Sequence, residues 1–185
     1  MRHWSDEKLI EALGGGDEEA LRVLVERHTA SIYRFSLRYT GNESIAQDIC
    51  QEVFLSLYRN ARKYKPGMPF KTWLFTIVRN TSINFARSYT YRKASSLEEL
   101  PQEMKKTSLL DLAPDPEARF LSEELAHCLS QAVQSLSEKQ RTAVILRYYQ
   151  GMSIKEVAEI MKSTVSSVES LIFRAKTNLI KLLDK

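Results

Sequence analysis

Apolar residues recur at steps of three and four in every extended segment of the chain, and the alternation typical of half-buried strands is absent. The sequence therefore predicts an all-α protein. Ser5 and Asp17 precede the first two periodic segments as N-caps, and Gly41 follows the second at the position of a helix stop. Asn42 then opens a third helix, which we expect to continue to about Lys63.

The stretch Lys65–Pro69 contains two prolines and a glycine, so it predicts a loop between helices. A long helix should resume at Phe70 and run to about Lys93. Its apolar positions, such as Leu74 and Val78, recur on one face. A second, largely polar stripe is left on the same helix, formed by Trp73, Thr76, Asn80, Asn84 and Arg87.

Periodicity disappears between residues 94 and 118, where three prolines and six acids occur against Lys105 and Lys106. Such a composition is typical of a flexible acidic linker, of net charge −4 (two minus six). The chain is therefore predicted to comprise an N-terminal helical domain over residues 1–93 and a C-terminal one over residues 119–185.

The C-terminal segment ends in two short helical patterns, over Ser153–Met161 and from Val165 to about Leu183, separated by a turn at residues 162–164. Ser153 with Glu156 has the spacing of a capping box. We expect Val165 and Val168 to bury one face of the second helix. The arrangement predicts a helix-turn-helix, although any two packed short helices can imitate one.

Charge adds a signal that periodicity does not contain. From Val53 to Leu97 the chain has no Asp or Glu, yet it carries nine Lys or Arg and nine aromatic residues. Cations neutralise phosphate and aromatic faces stack on unpaired bases, so this segment favours a single-stranded nucleic-acid surface. The alternative is that about half of these aromatics are ordinary core residues.

Several classes of function lack support. Cys50 and Cys128 lie far apart, and the three histidines are scattered, so the sequence predicts no disulfide and no metal site. It shows no P-loop, HExxH motif or dinucleotide fingerprint, so we expect neither a cofactor nor catalysis. No stretch approaches the roughly 18 apolar residues of a membrane span, which predicts a cytoplasmic protein. A net charge of +4 and a pI of about 9.0 weakly favour a polyanionic partner.

Three segments carry a resemblance to a known family: SIAQDICQEVFLSLYRNARKY, FKTWLFTIVRNTSINFAR and, beyond the linker, LSEKQRTAVILRYYQGMSIKEVAEIMKSTVSSVESLIFRAKTNLIKLL. Together and in this order they resemble bacterial sigma factors of the extracytoplasmic function group. The resemblance covers both domains. It implies a non-enzymatic factor that binds core RNA polymerase, directs it to a promoter and opens the DNA, under the control of an anti-sigma partner.

The resemblance also implies roles for individual residues. The polymerase-binding segment would comprise Asp48, Gln51, Glu52, Phe54 and Leu55. Recognition and melting of the minus-ten element would fall to Lys65, Phe70, Lys71, Trp73, Arg79, Asn80, Asn84 and Arg87. Recognition of the minus-thirty-five duplex would fall to Thr164, Ser166, Ser167, Glu169, Ser170, Phe173, Arg174 and Lys176. Phe70 and Trp73 have an alternative role as core residues.

The chain departs from the common family pattern at two places. Asn84 stands where many members carry Asp, which weakens any pairing of that residue with Arg87. Ser166–Glu169 replaces a Gly-Thr-Val-Lys run, so the preferred duplex cannot be inherited from better-known members. Two other functions stay open at this point: a polymerase-independent helix-turn-helix regulator, and a DNA-modifying enzyme that extrudes a base. The second lacks catalytic residues.

Overall fold

The computed structural model describes residues 1–95 and 128–183, and within these ranges it contains helices and no strands. The N-terminal domain contains α1 (Asp6–Gly14), α2 (Glu18–Thr40), α3 (Glu43–Asn60), a 3-10 turn (Ala61–Lys63) and α4 (Phe70–Ser95). The C-terminal domain contains α5, of which residues 128–135 are described, α6 (Glu138–Val144), a π-helical turn (Ile145–Tyr149), α7 (Ile154–Met161) and α8 (Val165–Leu183). The predicted all-α fold is confirmed.

The predicted helix starts and stops are present in the N-terminal domain. The Ser5 hydroxyl accepts a hydrogen bond from the Lys8 N–H at 3.3 Å, and the Asp17 carboxylate accepts one from the Glu19 N–H at 3.1 Å. Gly41 ends α2 with φ of 69°, a conformation that glycine adopts without strain. Side-chain caps satisfy backbone donors that lack partners within the helix, so these residues define where α1 and α2 begin.

Helices α2, α3 and α4 pack around an aromatic core. Phe35 is fully buried, with its ring centroid 5.9 Å from that of Tyr39 and 5.8 Å from that of Phe75. Ile49 and Val53 of α3 are buried in the same cluster. The apolar face predicted for each helix is therefore the face that is buried, which leaves the opposite faces of α3 and α4 exposed.

The C-terminal domain departs from prediction in two details. The pattern indicated one helix from Ser137 to about Gly151, but its second half is the π turn, which buries Ile145 and Leu146. Val168 is buried in α8 as expected, whereas Val165 is 41% exposed and its predicted burial is wrong. Val165 is the first residue of α8. A helical side chain leans over the preceding turn, and at this position no such turn exists.

The predicted acidic linker lies outside the described residues, apart from Ala94 and Ser95, which extend α4. The helix start predicted near Arg119 also lies outside them. Across residues 1–95 and 128–183, no helix is both long and apolar enough to cross a membrane.

The two domains pack against each other, which the sequence did not predict. Helix α4 contacts α7, and α2 contacts the π turn. Leu74 and Val78 of α4 belong to the same continuous cluster of buried side chains as Val157 and Ile160 of α7. The two domains therefore share one hydrophobic core.

Candidate polymerase and nucleic-acid surfaces

The predicted polymerase-binding residues lie on one exposed face of α3. Asp48 and Gln51 are exposed, Leu55 is 48% exposed, and Glu52 is half-buried beside Arg59, with a carboxylate-to-guanidinium distance of 3.5 Å. Phe54 differs, since it is half-buried and packs against the core. The face therefore combines an acidic patch with exposed apolar area, and the Phe54 side chain packs between this face and the core.

Sequence reasoning missed Tyr58, which continues the same face. It lies three residues after Leu55, is 47% exposed, and its hydroxyl donates to the Glu18 carboxylate at 3.2 Å. Residues three and four apart are neighbours on a helix surface. The helical spacing from Leu55 could therefore have identified Tyr58.

Helix α4 presents the polar stripe that the sequence predicted. Asn80, Asn84 and Arg87 are exposed, and Tyr91 extends the stripe with 76% of its surface exposed. Trp73 is half-buried at the start of the stripe. The α4 stripe, which comprises residues 73, 76, 80, 84, 87 and 91, thus has an aromatic residue at each end and a threonine, two asparagines and an arginine between them.

The structure corrects the expectation for Phe70. Its side chain is fully buried, with ring centroids 5.3 Å from His28 and 6.1 Å from Trp73, so it does not reach a ligand. A phenyl ring has no polar edge to keep it at the surface, and here it fills the gap between α2 and the preceding loop. Tyr64 stands edge-on to Trp73 with centroids 5.4 Å apart. The three rings around Phe70 thus support the exposed loop.

The loop Lys65–Pro69 is fixed at both ends although its own residues are exposed. The Tyr64 hydroxyl donates to the Met68 carbonyl, and the Met68 N–H donates to the Lys65 carbonyl at 3.3 Å. At the far end, a Glu7 carboxylate oxygen accepts from the Phe70 N–H at 3.1 Å. Sequence reasoning missed Glu7, because it lies 63 residues from its partner.

The predicted minus-ten cations differ in what they contact. Lys65 is exposed, and the Arg79 guanidinium donates to the side-chain amide oxygen (Oδ1) of Asn80 at 3.0 Å. The Lys71 ammonium donates to the Gln150 carbonyl at 2.7 Å, and the Arg87 guanidinium lies 3.2 Å from a Glu138 carboxylate oxygen. Gln150 and Glu138 belong to the C-terminal domain. The Arg87 partner is therefore not Asn84 of its own helix.

The predicted helix-turn-helix is present, and its turn is fixed by polar contacts. The Ser153 hydroxyl and N–H both donate to the Glu156 carboxylate, at 2.7 and 2.8 Å, and these bonds hold the pKa of Glu156 below its ordinary value. Lys162 ends α7 in the left-handed conformation, with φ of 50°. The Thr164 hydroxyl then accepts from the Ser167 N–H at 3.2 Å, which fixes the start of α8.

The predicted minus-thirty-five residues share one exposed surface of α8. Ser166, Ser167, Glu169 and Ser170 are exposed along its first half, and Phe173 is 71% exposed. Two cations are fixed further along the helix. The Arg174 guanidinium donates to the Ser170 carbonyl at 3.2 Å, and the Lys176 ammonium lies 5.3 Å from the centre of the Tyr148 ring. The surface can thus offer hydroxyls, one carboxylate and two cations to a ligand.

The N-terminal segment is tied to α2 by a partly buried charge cluster. Asp6 contacts Arg27 at 2.6 Å and His28 at 2.9 Å. Partial burial favours a raised pKa for Asp6, but the hydrogen bonds and charges of these two partners outweigh it and lower the pKa. Because His28 also packs on Phe70, the cluster links α1 to the start of α4.

Comparison with known proteins shows which family the chain belongs to. The model of sigma-70 region 2 matches residues 24–103, and that of sigma-70 region 4 matches residues 126–179. An ECF RNA polymerase sigma-E factor of Escherichia coli K12 is 33% identical over 93% of this chain and 91% of its own. The chain belongs to the extracytoplasmic function group of RNA polymerase sigma factors. The RNA polymerase sigma-H factor of Pseudomonas aeruginosa is 31% identical over 96% of this chain and 93% of its own.

Solved structures agree with the fold of this sigma factor. CnrH in complex with the cytosolic domain of CnrY superposes with a TM-score of 0.71, at 24% identity, over 97% of both chains. RpoE in complex with the anti-sigma factor NepR from Bartonella quintana superposes with a TM-score of 0.65, at 21% identity, over 88% of this chain and 96% of that one. The family binds core RNA polymerase and promoter DNA. Among the described residues, no cluster of three or more potential ligands suits a metal ion.

Proposed function

We propose that this sigma factor divides its work among three surfaces. The exposed face of α3, including Asp48 and Leu55, binds core polymerase. The α4 stripe with Lys65 and Lys71 opens and reads the minus-ten element, and the exposed face of α8 reads the minus-thirty-five duplex. None of these steps requires catalysis by the factor, since binding energy shared with the polymerase drives strand opening.

The observation that carries this proposal is the exposure of Asn80, Asn84 and Tyr91 along α4, in a segment free of acids. Amides can hydrogen-bond the Watson–Crick edge of an extruded base, and aromatic faces can stack on it. A solvated face of an ordinary helix would be expected to mix both signs of charge. The bias towards amides, aromatics and cations favours an unpaired DNA strand.

The minus-ten role is tested by Asn80→Ala in the reconstituted holoenzyme. Promoter opening, followed by permanganate reactivity of unpaired thymines, should fall about tenfold, because one base contact is worth roughly 1–3 kcal/mol. Polymerase binding should be unchanged. Asn178→Ala is the matched control, since Asn178 is an exposed asparagine on α8. Equal loss of opening and polymerase binding, or no loss of either, would contradict the assignment.

The polymerase surface is tested by the double reversal Asp48→Lys with Glu52→Lys. Pull-down of core polymerase should be lost, because two attractive charges become repulsive at a basic partner surface. The matched control reverses Glu11 and Glu159, which are exposed acids on α1 and α7 and produce the same change in net charge. Unchanged binding of the first variant would refute the role of α3.

We further propose control by an anti-sigma partner inside the cytoplasm. The support is that one structural relative described above was solved with the anti-sigma factor NepR, and the other with the cytosolic domain of CnrY. The partner should compete with core polymerase for the face of α3. Isolation of the tagged chain from its own cells under unstressed conditions, followed by mass spectrometry, should recover a bound protein that core polymerase displaces. Recovery of core polymerase alone would contradict this regulation.

A polymerase-independent regulator remains the rival function. Mixing the chain with core polymerase and promoter DNA separates the two, because only a sigma factor makes specific transcripts depend on the chain. Transcripts that form equally well without it would overturn the proposal.

A further inference from the structure

Glu169 is the only acidic residue of α8, a helix that also carries Arg174, Lys176 and Lys181. It is exposed in the second turn, on the surface that the proposed function assigns to the minus-thirty-five duplex. A carboxylate at this place repels the phosphates that the three cations attract. Binding of the DNA backbone therefore gives no reason for an acid here.

No ion pair along the helix accounts for Glu169 either. The residues three and four positions away on its two sides are a serine, a valine, an isoleucine and a phenylalanine, so none of the usual helical ion pairs forms. The nearest cation along the chain, Arg174, donates to the Ser170 carbonyl at 3.2 Å instead. Within the described ranges 1–95 and 128–183, the Glu169 carboxylate makes no hydrogen bond or ion pair.

Glu169 lies in a surface depression whose other lining residues are Ser170, Phe173 and Arg174. A serine hydroxyl both donates and accepts, and a guanidinium only donates, so the carboxylate is the one group here that only accepts. Phe173 stands one turn further along the helix and is 71% exposed. When a base pair covers the depression, the phenyl ring excludes water beside the carboxylate. An acceptor left there without a donor then becomes costly.

The major-groove edges of the four bases differ in what they offer a carboxylate. Guanine presents the acceptors N7 and O6, and thymine presents the acceptor O4, so both repel it. Adenine presents its N6 amino group beside the acceptor N7, so attraction and repulsion occur together. Cytosine presents the N4 amino group and no acceptor of its own. Cytosine is therefore the base that best complements an exposed glutamate.

We infer that Glu169 is a specificity-determining residue, which selects a cytosine in the minus-thirty-five element by accepting a hydrogen bond from its N4 amino group. The inference rests on the proposed function of α8. Any other base at that position leaves the carboxylate without its donor beside Phe173. A single base contact of this kind should change the Kd for the duplex by about five- to thirtyfold.

The test uses holoenzyme assembled from the full chain and core polymerase. Its DNA is a promoter found by run-off transcription, with the minus-thirty-five element randomised, and the bound duplexes are sequenced. The unchanged chain should select a cytosine at one position of the motif. Glutamine pairs with adenine and lysine with guanine, so Glu169→Gln should change this position to adenine and Glu169→Lys to guanine. The other positions of the motif should stay the same.

Glu159→Lys is the matched control, because Glu159 is an exposed acid on α7 and its replacement changes the net charge equally. It should affect binding of all the duplexes alike and leave the motif unchanged, since added positive charge acts on phosphates. Two duplexes that differ only in cytosine or guanine at the selected position then give the Kd ratio. The ratio should persist as salt concentration rises, although both affinities fall.

The inference fails if Glu169→Lys selects the same motif as the unchanged chain and Glu159→Lys. It fails equally if the position that changes holds a base other than cytosine in the original motif. Failure of the proposed function has a different signature: no minus-thirty-five motif would be enriched by any of these chains, although transcripts still depend on the factor.

Discussion

Glu7 provides the sharpest test of how the loop before α4 is supported. Helix α4 begins at Phe70 directly after Pro69, which has no side-chain acceptor to cap the helix. The Glu7 carboxylate of α1 accepts from the Phe70 N–H at 3.1 Å and so does the work of an N-cap. It also places a negative charge at the N-terminus of a long helix. We expect Glu7→Ala to destabilise the protein measurably.

The magnitude follows from two contributions. Loss of a side-chain cap costs about 0.5–2 kcal/mol, and loss of a charge near a helix N-terminus costs about 0.3–1 kcal/mol. Because Glu7 is exposed and water can replace part of the contact, we expect a total of about 1 kcal/mol. For a chain of 185 residues this corresponds to a fall in Tm of about 2–4 °C. Glu7→Gln keeps an acceptor oxygen and should lose less than half as much.

The assay is urea unfolding followed by circular dichroism, with Glu11→Ala as the matched control. Glu11 is exposed on the same helix, and its side chain makes no hydrogen bond among the described contacts. Both variants exchange glutamate for alanine, so intrinsic helix propensity cancels between them. If Glu7→Ala unfolds at the same urea concentration as Glu11→Ala, then the carboxylate does not cap α4 and the reasoning fails.

Three further predictions concern burial and charge. Burial raises the pKa of the Cys50 thiol to about 11, so iodoacetamide at neutral pH should modify Cys128 and spare Cys50 until the protein unfolds; equal labelling seen by mass spectrometry would contradict this. The pKa of Asp6 is lowered from 3.8 in the folded protein, so its carboxylate stabilises the fold above that pH and loses this effect as the pH falls through the lower folded value. The free energy of unfolding of Asp6→Asn should therefore fall less on acidification than that of the unchanged protein. Val168→Ala should lower the free energy of unfolding in urea by about 1–3 kcal/mol, because Val168 is fully buried. Phe173→Ala should change it by less than about 0.5 kcal/mol, because that ring is exposed. A larger effect of Phe173→Ala would mean that the ring packs against the protein.

The sequence correctly predicted the helix caps, stops and faces, which depend on residues close together in the chain. The caps Ser5, Asp17 and Ser153 act on backbone groups two or three residues away, and the stop at Gly41 is a local conformational preference. The apolar and polar faces of α4 follow from helical geometry alone. The same geometry placed Asn80 and Asn84 on an exposed surface.

What the sequence could not predict depends on contacts between distant residues. The sequence alone does not distinguish a buried phenylalanine from an exposed one. The burial of Phe70 depends on its packing against His28 of α2. The π turn at Ile145–Tyr149 continues a helical apolar pattern and leaves no local signal. The pairing of Arg87 with Glu138 spans 51 residues and joins two domains, so no spacing rule identifies it.

The distant contacts also explain why a segment of 45 residues can dispense with acids and still fold. Its polar groups find carboxylates elsewhere in the chain: Glu18 accepts from Tyr58, Glu7 from the Phe70 N–H, and Glu138 pairs with Arg87. A carboxylate four residues away on α4 would lie beside its cation on the same helix face and would repel DNA there. Carboxylates supplied by α1, α2 and α6 instead stabilise the segment without placing an acidic residue on α4 itself. An acid-free segment thus keeps its own charged residues positive, which suits the binding of phosphate.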